Sequence, residues 1–141
     1  MISETKPADF HPRFSAVGIY LVHEGKILLL KYKTKYYGQW TIPSGKIEQG
    51  EDERDAAVRE TFEETQVRLR PEELTYKYLA YARYPDNDFP WFVYTCELVD
   101  RPHIILSDEH SEYVWLTPTE ALTIDLIGHE DWCIKKAFNL E

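Results

Sequence analysis

Two pairs of apolar segments predict two β-hairpins. Residues 14–22 and 26–32 are rich in aliphatic and aromatic side chains, and only His-Glu-Gly separates them, which favours a tight turn. Residues 74–84 and 91–99 form a second pair, rich in aromatic and β-branched residues. The segment 85–88, Pro-Asp-Asn-Asp, is typical of a turn between two strands.

One long segment between the hairpins has the pattern of a helix. Residues 51–67 contain many helix formers and no Gly or Pro, and Pro71 follows them. A loop over 44–50, which contains Gly45 and Gly50, precedes this helix. The other predicted elements are a loose lead-in before residue 14, a short extended piece at 40–42, a strand at 113–116 and helices at 118–122 and 129–140. Clustered strands with interspersed helices predict an α+β protein, a mixed sheet with helices packed on it.

Size and charge narrow the possible functions. The chain has 141 residues, which predicts one domain over 1–141, and its 43% hydrophobic residues are enough for one core. It has 16 basic and 25 acidic residues, a net charge of −9. General nucleic-acid binding and anionic-membrane binding both need a cationic surface, so neither is expected. A phosphate compound would need a local site, with a cation between it and the acidic protein.

The cysteines and the apolar segments indicate the cellular location of the protein. Cys96 and Cys133 form no CxxC pair, so we expect no zinc site and no disulfide framework, although one disulfide remains an alternative. The longest apolar run, 27–30, is too short to span a bilayer, and residues 1–10 lack the apolar core of a signal peptide. These features predict a cytoplasmic protein.

Three glutamates lie within one turn of the predicted central helix. At about 100° per residue, Glu63 and Glu64 fall within about 60° of Glu60 on the helical wheel. The opposite side carries the apolar positions Val58, Phe62 and Leu69, which we expect to face the core. Like charges at these spacings cost a few tenths of a kcal/mol per pair. We expect Arg59 to pair with Glu63 and Arg68 with Glu64, and we find no helical partner for Glu60.

Such an acidic face is either merely solvated or a divalent-cation site. Mg²⁺ prefers oxygen ligands, and three carboxylates on one rigid helix supply them. Residues 45–66 carry eight acidic and three basic residues, a net charge of −5 within the −9 of the whole chain. Gly45 and Gly50 allow backbone angles that turn loop carbonyls toward a cation. A phosphate cradle at the helix start is disfavoured, because GxxxxGKS is absent and three acids, Glu51, Asp52 and Glu53, occupy the first turn.

The spacing of these residues resembles the Nudix box, whose pattern is G-x5-E-x7-R-E-U-x-E-E-x-G-U, with U a bulky aliphatic residue. The matching positions are Gly45, Glu51, Arg59, Glu60, Glu63, Glu64 and Val67. Two positions differ, Thr61 in place of an aliphatic residue and Gln66 in place of the second glycine. The segments 40–43 and 112–116 also fit the surroundings of the box in this family.

The resemblance implies an α/β/α sandwich around a mixed sheet and a pyrophosphohydrolase that uses Mg²⁺ or Mn²⁺. Its substrate would be a small nucleotide, either a nucleoside triphosphate, a nucleotide sugar or a dinucleoside polyphosphate. The implied metal ligands are the Gly45 carbonyl, Glu60, Glu63 and Glu64. The implied catalytic acids are Glu63, Glu64 and a late-loop acid, for which Glu109 is the preferred candidate and Glu112 the second. Glu51 and Arg59 resemble the supporting pair that joins loop and helix. Many members are dimers, so a homodimer is also an open expectation.

Substrate contacts outside the box are candidates only. Phe89 is the preferred base-stacking residue, followed by Trp40, Tyr84 and Trp91, although core packing explains strand aromatics equally well. Arg13 is a candidate for a phosphate contact, against a surface salt bridge. The lysines near the loop, Lys33, Lys35 and Lys46, are candidates for attracting an anion, against plain solubility. We expect specificity to lie in loops 84–91 and 104–111.

For two further residues, an ordinary structural role competes with a functional one. His110, next to Glu109, is a candidate metal neighbour or acid–base group, with an exposed loop histidine as the default. Cys96 lies in a predicted strand and is expected to be a small core residue.

Three other functions compete with hydrolysis. A binding module with the same fold would bind nucleotide without turnover, but it has no need for all three box acids. An isopentenyl diphosphate isomerase would need a cysteine near its substrate, and neither cysteine is persuasively placed. A structural domain would have an acidic face that is merely solvated and binds no Mn²⁺.

Overall fold

The structure is a computed structural model that describes residues 1–84 and 87–141; Pro85 and Asp86, in the predicted turn of the second hairpin, lie outside the described residues. The strands are β1 (Ile2–Ser3), β2 (Ala16–His23), β3 (Lys26–Tyr32), β4 (Trp40–Thr41), β5 (Ser44–Lys46), β6 (Thr75–Arg83), β7 (Asp88–Glu97) and β8 (His110–Leu116). The helices are α1 (Glu53–Thr65), a 3₁₀ turn (Pro71–Glu73), α2 (Pro118–Ala121) and α3 (Glu130–Ala137).

The strands form one mixed sheet in the order β1-β6-β7-β2-β3-β4, with β5 beside β2 and β8 beside β3. Strand β2 is parallel to β7 from Ala16↔Trp91 to Val22↔Glu97 and antiparallel to its other partners. Its first three residues pair with β5, whereas only its last two pair with β3. The two central strands β2 and β3 therefore diverge, and β5 enters the gap just before helix α1.

Alternating side chains of the central strands form two separate cores, one on each face of the sheet. Val17, Ile19 and Leu21 of β2 pack with Ala56 and Ala57 of α1. The opposite face joins β2 and β3 to α2 and α3 through Tyr20, Val22, Ile27, Leu29, Ala121, Ile134 and Ala137. Because side chains of a strand alternate between the faces, a continuous apolar run fills both cores. This is the α/β/α arrangement that the sequence predicts.

Both predicted hairpins are present. Glu24 and Gly25 link β2 to β3 with φ of 49° and 77°, the positive values that a tight hairpin turn requires. Strands β6 and β7 are antiparallel as far as Arg83↔Asp88. Strand β7 begins at 88 rather than 91, because the Arg83 guanidinium bonds the Asp88 carboxylate at 3.1 Å and extends the pairing.

Helix α1 is shorter than the predicted 51–67. It begins after Asp52, whose side chain accepts a hydrogen bond from the Arg54 backbone N–H at 2.7 Å. It ends at Thr65 because Gln66 adopts the left-handed conformation, with φ of 61° and ψ of 19°. Glycine is the usual residue at this position of a helix end, so Gln66 keeps the turn of the box at some conformational cost.

The predicted apolar face of α1 is wrong. The buried residues are Ala56, Ala57, Thr61, Glu64 and Thr65, which place the sheet-facing side on the same side as the acids. Small residues let the helix lie close to the sheet, and the threonine hydroxyls are satisfied by donating to carbonyls one turn earlier. Phe62 and Val58 are only partly buried, and the apolar Leu69 is buried beyond the end of the helix.

The predicted charge pairing of this helix is only partly present. Arg59 contacts Glu63 at 3.3 Å as expected, but it also contacts Glu60 at 2.8 Å, for which no helical partner was expected. The expected pair between Arg68 and Glu64 does not form. The guanidinium of Arg68 lies 4.3 Å from the ring centre of Phe62 and covers this partly exposed aromatic.

Two short strands carry no sequence signal. Strand β1, in the lead-in expected to be loose, pairs with the edge strand β6. Strand β5 is Ser-Gly-Lys, inside the segment expected to be a loop. Ile2 is the one strong β-former among these five residues, so long-range pairing rather than local preference sets their conformation.

Both cysteines are buried and free, and Cys96 lies in the core as expected. Within the described ranges, we find no helix with the length and apolar character to cross a membrane.

A buried acid holds the start of helix α3 to the sheet. Glu130 is almost completely buried and accepts a hydrogen bond of 2.5 Å from the Tyr20 hydroxyl of β2. Burial raises the pKa of Glu130 to about 7, against the smaller opposing effect of the Tyr20 hydrogen bond. Glu130 therefore makes the stability of the fold sensitive to pH.

We predict that replacing Glu130 with Gln removes a pH-dependent part of the stability. The folded-state pKa lies above the unfolded-state value, so the folded protein keeps a proton that the unfolded chain releases, and stability falls as pH rises toward 7. Relative to Glu130→Gln, the wild type should lose up to about 1.4 kcal/mol of unfolding free energy per pH unit between about pH 5 and 7, and little more above. Urea denaturation across this range measures the difference.

The matched control for this experiment is Asp100→Asn, which removes an exposed acid that does not contribute to the shifted pKa of Glu130. Its difference from wild type should not change with pH. A wild-type to Glu130→Gln difference that is equally constant contradicts the assignment.

Candidate metal and nucleotide site

The Glu60 carboxylate lies directly against the backbone of Gly45. A Cβ added at Gly45 would overlap the carboxylate carbon and both carboxylate oxygens of Glu60. Strand β5 and helix α1 therefore approach each other closely only because residue 45 has no side chain. This contact explains the need for the first glycine of the box, and it holds Glu60 at the start of β2 and β5.

The Glu64 carboxylate is buried between α1 and the sheet. Glu64 is only 5% exposed, and its carboxylate accepts a hydrogen bond of 3.0 Å from the Ser44 backbone N–H. Burial, together with the nearby carboxylates of Glu60, Glu109 and Glu63, raises the pKa of Glu64 to about 9, against the opposing effect of the Ser44 hydrogen bond. A charged Glu64 is thus unfavourable here without a positive partner.

Arg59 joins the loop to the acidic helix face. Its guanidinium donates two hydrogen bonds to the Glu51 carboxylate, at 2.8 and 2.9 Å, and one to the Lys46 carbonyl at 3.0 Å. The same group reaches Glu60 at 2.8 Å and Glu63 at 3.3 Å. The Arg59 hydrogen bond lowers the pKa of Glu51, so this bidentate pair stays charged.

The three box acids have three different environments. Glu63 has a side chain that is 55% exposed, whereas that of Glu60 is 15% exposed and Glu64 is buried. Burial raises the pKa of Glu60, against the hydrogen bond and charge of Arg59. The face therefore runs from a buried carboxylate next to the sheet to an exposed one at the protein surface.

The late loop brings a further acid to this face. Glu64, Glu109 and His110 each offer a ligand atom, and these atoms lie within 4.8 Å of one another. The Glu109 carbonyl accepts a hydrogen bond of 2.9 Å from the Lys33 backbone N–H, which fixes the loop beside β3. Glu112, the second candidate, is paired instead with Lys31 at 3.2 Å, opposite it in the β3–β8 ladder.

His110 is not the exposed loop histidine that was expected. It is the first residue of β8, is 3% exposed, and lies with its ring centre 5.0 Å from that of Tyr32. Burial lowers the pKa of His110 to about 4, so the ring is neutral at physiological pH. A buried, neutral imidazole next to two carboxylates is a competent metal ligand.

A cleft of about 520 Å³ extends from the Gly45 side of this site to the start of α3. The aromatic residues along it are Phe14, Tyr32, Tyr36, Tyr84, Phe89 and Trp91. Two lysines, Lys35 and Lys46, also line it. Apolar walls with a few charged groups are typical of a small-molecule site. The structure thus places the acidic face next to an aromatic cleft whose lining includes two lysines.

The candidate substrate residues fall into two groups. Phe89 lines the cleft and is stacked on Phe14 and Tyr84, with ring centres 5.1 and 5.8 Å away. Trp40 packs against the core under α2 and α3 and does not line the cleft. Its backbone N–H donates to the Asp125 carbonyl and its carbonyl accepts from the Ile127 N–H, and these two bonds hold it there. Arg13 is exposed and likewise lies outside the cleft lining.

The donor set fits a divalent cation of the Mg²⁺ or Mn²⁺ type. Carboxylate oxygens are the ligands that such cations prefer, and Glu60, Glu64 and Glu109 supply them from two different elements. Glu64 is buried with a backbone N–H as its partner, and no described Lys or Arg forms an ion pair with it. A bound cation would remove the unfavourable effect of this buried charge.

Sequence reasoning missed Ser44, and it named His110 only as a candidate metal neighbour without predicting its burial. Ser44 acts through its backbone N–H, which no side-chain pattern reveals. The burial of His110 depends on pairing between β3 and β8, two segments far apart in the chain. Its position next to Glu109 was the only available signal.

Comparisons with known proteins agree on one protein family. Residues 12–137 match the NUDIX domain. The chain is 33% identical to a bis(5'-nucleosyl)-tetraphosphatase [asymmetrical] of Caenorhabditis elegans over 112 residues, which are 75% of this chain and 79% of that protein. It is 42% identical over 53 residues to an RNA pyrophosphohydrolase of Bartonella quintana, and this match covers 33% of this chain and only 31% of that relative.

A solved structure shows the same fold. The Ap4A hydrolase of C. elegans in a binary complex superimposes with a TM-score of 0.73 and 24% identity, over 87% of this chain and 93% of that one.

We predict that Gly45→Ala destabilises the protein through its contact with one side chain. The added methyl group overlaps the Glu60 carboxylate, and overpacking of this kind costs about 1–3 kcal/mol. Urea denaturation in the presence of a chelator measures this cost without any metal contribution.

The matched comparison is the same substitution in a Glu60→Ala background, where the three atoms nearest to the added methyl group are absent. The cost of Gly45→Ala should nearly disappear there. An equal cost in both backgrounds would show that the glycine is needed for another reason.

Proposed function

Because this chain belongs to the NUDIX domain family, we propose that it is a hydrolase that cleaves a pyrophosphate linkage in a small nucleoside diphosphate derivative, with a divalent cation as cofactor. The observation that carries the proposal is the convergence of Glu60, Glu64 and Glu109, from a helix and a late loop, beside a cleft suited to a nucleotide. A solvated acidic face would not bury Glu64.

The metal would be held by Glu60, Glu64 and Glu109, with the exposed Glu63 at the rim and the Gly45 carbonyl as a further candidate ligand. When bound, Mg²⁺ or Mn²⁺ offsets the phosphate charge and lowers the pKa of the attacking water. The Arg59–Glu51 pair fixes the loop relative to the helix, so the carboxylates are positioned before the substrate binds.

The proton of the attacking water needs an acceptor within hydrogen-bonding reach. The catalytic acids we propose are Glu63, Glu64 and Glu109, which span buried and exposed positions around one region. An exposed carboxylate can release its proton to solvent afterwards. Glu112 is not proposed as a catalytic acid because Lys31 holds it at another place on β8.

The nucleoside is proposed to bind in the aromatic cleft. Stacking of a base on an aromatic side chain contributes about 1–3 kcal/mol, and Phe89, Tyr84 and Trp91 are available along the wall. Lys35 and Lys46 lie along the same cleft, where they attract an anionic substrate to a protein whose net charge is −9. Neither Trp40 nor Arg13 is part of this proposal.

We propose a small nucleotide rather than a nucleic-acid polymer as the substrate, because the net charge of −9 opposes the binding of a long polyanion. Nucleoside triphosphates, nucleotide sugars and dinucleoside polyphosphates remain the classes to compare. The names of the two relatives above add a bis(5'-nucleosyl) tetraphosphate and an RNA with a pyrophosphate linkage to the test panel. The whole of 1–141 is proposed to act as one domain.

We predict metal-dependent turnover of at least one nucleotide in this panel. Chelation should abolish it, and Glu64→Gln should lower kcat by about 100-fold or more, because a neutral amide neither binds the cation well nor accepts a proton. Glu109→Gln should also lower kcat strongly. Chromatographic detection of both products identifies the cleaved bond at the same time.

The matched control is Glu112→Gln, whose parent carboxylate is bound by Lys31 away from the cluster, and it should keep near wild-type turnover. Full activity of both Glu63→Gln and Glu64→Gln would refute the assigned site. Tight nucleotide binding without turnover would instead favour a regulatory binding module.

A further inference from the structure

We propose that His110 is a direct nitrogen ligand of the cation, so that this site prefers Mn²⁺ and Co²⁺ to Mg²⁺ more strongly than an all-carboxylate site would. The proposal deepens the function above and rests on it only in sharing Glu64 and Glu109 as ligands. Its own evidence is the burial, the unpaired nitrogens and the position of one imidazole.

The first argument is that the described residues leave the polar atoms of His110 unsatisfied. Both ring nitrogens are buried, and neither has a hydrogen-bond partner among residues 1–84 and 87–141. A buried polar group without a partner costs about 1–3 kcal/mol, so native structures nearly always satisfy such groups. Its ring packs near Tyr32, but that contact leaves both nitrogens unsatisfied.

The second argument is position. A ligand atom of His110 lies within 4.8 Å of carboxylate oxygens of both Glu64 and Glu109. Two ligands of one ion, each about 2.0–2.2 Å from it, lie roughly 3–4 Å apart, so small side-chain rotations bring the three atoms onto one ion.

The local backbone accounts for the inward direction of this side chain. The register between β3 and β8 shifts between Lys31 and Tyr32, where Tyr32 comes to face His110. An irregularity of this kind redirects side chains at the end of a ladder, and such irregularities are common next to active sites. The residue before it, Glu109, is exposed, while His110 is buried behind it.

The third argument is the chemistry of the donor set. Mg²⁺ binds oxygen ligands and seldom imidazole, whereas Mn²⁺ and, more strongly, Co²⁺ accept a mixed set of imidazole and carboxylate. Adding one nitrogen to two carboxylates therefore raises the affinity for these ions while giving little to Mg²⁺. The structure thus assigns to one side chain a role in metal choice.

The test is metal binding by the full chain without nucleotide, which does not depend on hydrolysis. Pulsed electron paramagnetic resonance of the Mn²⁺-loaded wild type should show coupling to a directly bound imidazole nitrogen. Calorimetric titrations with Mn²⁺, Co²⁺ and Mg²⁺ then compare His110→Gln with His103→Gln, an exposed histidine of the same late segment.

We expect His110→Gln to lose the nitrogen coupling and about tenfold or more in Mn²⁺ and Co²⁺ affinity, with a much smaller change for Mg²⁺. His103→Gln should bind all three ions as wild type does. Absence of nitrogen coupling in the wild type overturns the proposal, even when His110→Gln does not fold. Equal losses for all three ions also overturn it, because they indicate a structural role.

Failure of this inference is distinguishable from failure of the proposed function. A protein that hydrolyses nucleotides but shows no nitrogen coupling retains the function and loses the His110 ligand. A protein that shows the coupling but turns over nothing in the panel retains the metal site and loses the activity.

Discussion

The burial of carboxylates on the sheet-facing side of helix α1 is the constraint on which the site depends. Globular proteins ordinarily turn apolar side chains toward the sheet, yet here Glu64 lies there with a backbone N–H as partner, and Glu60 lies against Gly45. A buried charge is tolerated only when it is paired or coordinates a metal. The fold thus maintains an electrostatically unfavourable arrangement that the proposed divalent cation would relieve.

Several features of the fold position the buried carboxylates or compensate part of their charge. Small residues of α1 allow a close approach to the sheet, and strand β5 enters the gap between diverging β2 and β3 to supply Gly45 and the Ser44 N–H. Arg59 neutralises part of the acidic face from the outside through Glu51, Glu60 and Glu63.

The sequence was sufficient for what depends on local pattern. The hairpins, the central helix and the grouping of its acids follow from periodicity and from the box spacing, whereas Glu109 was a candidate only through the family resemblance. The apolar face of α1 was predicted wrongly because Ala56, Ala57 and Thr61 score as weakly hydrophobic, although their small size decides which side packs. Similarly, hydrophobicity placed Trp40 and Phe89 in one class, and only the tertiary structure separates a core aromatic from a cleft aromatic.

The central claim is that burial disfavours the charged form of Glu64 and that a bound cation stabilises this charged form. The most direct measurement is the carboxyl carbon chemical shift of Glu64 by NMR as a function of pH, first with a chelator and then with Mg²⁺. The account predicts a pKa raised far above the usual range of a glutamate in the metal-free protein, and a fall of several units on metal addition. An ordinary glutamate pKa that Mg²⁺ leaves unchanged would contradict it.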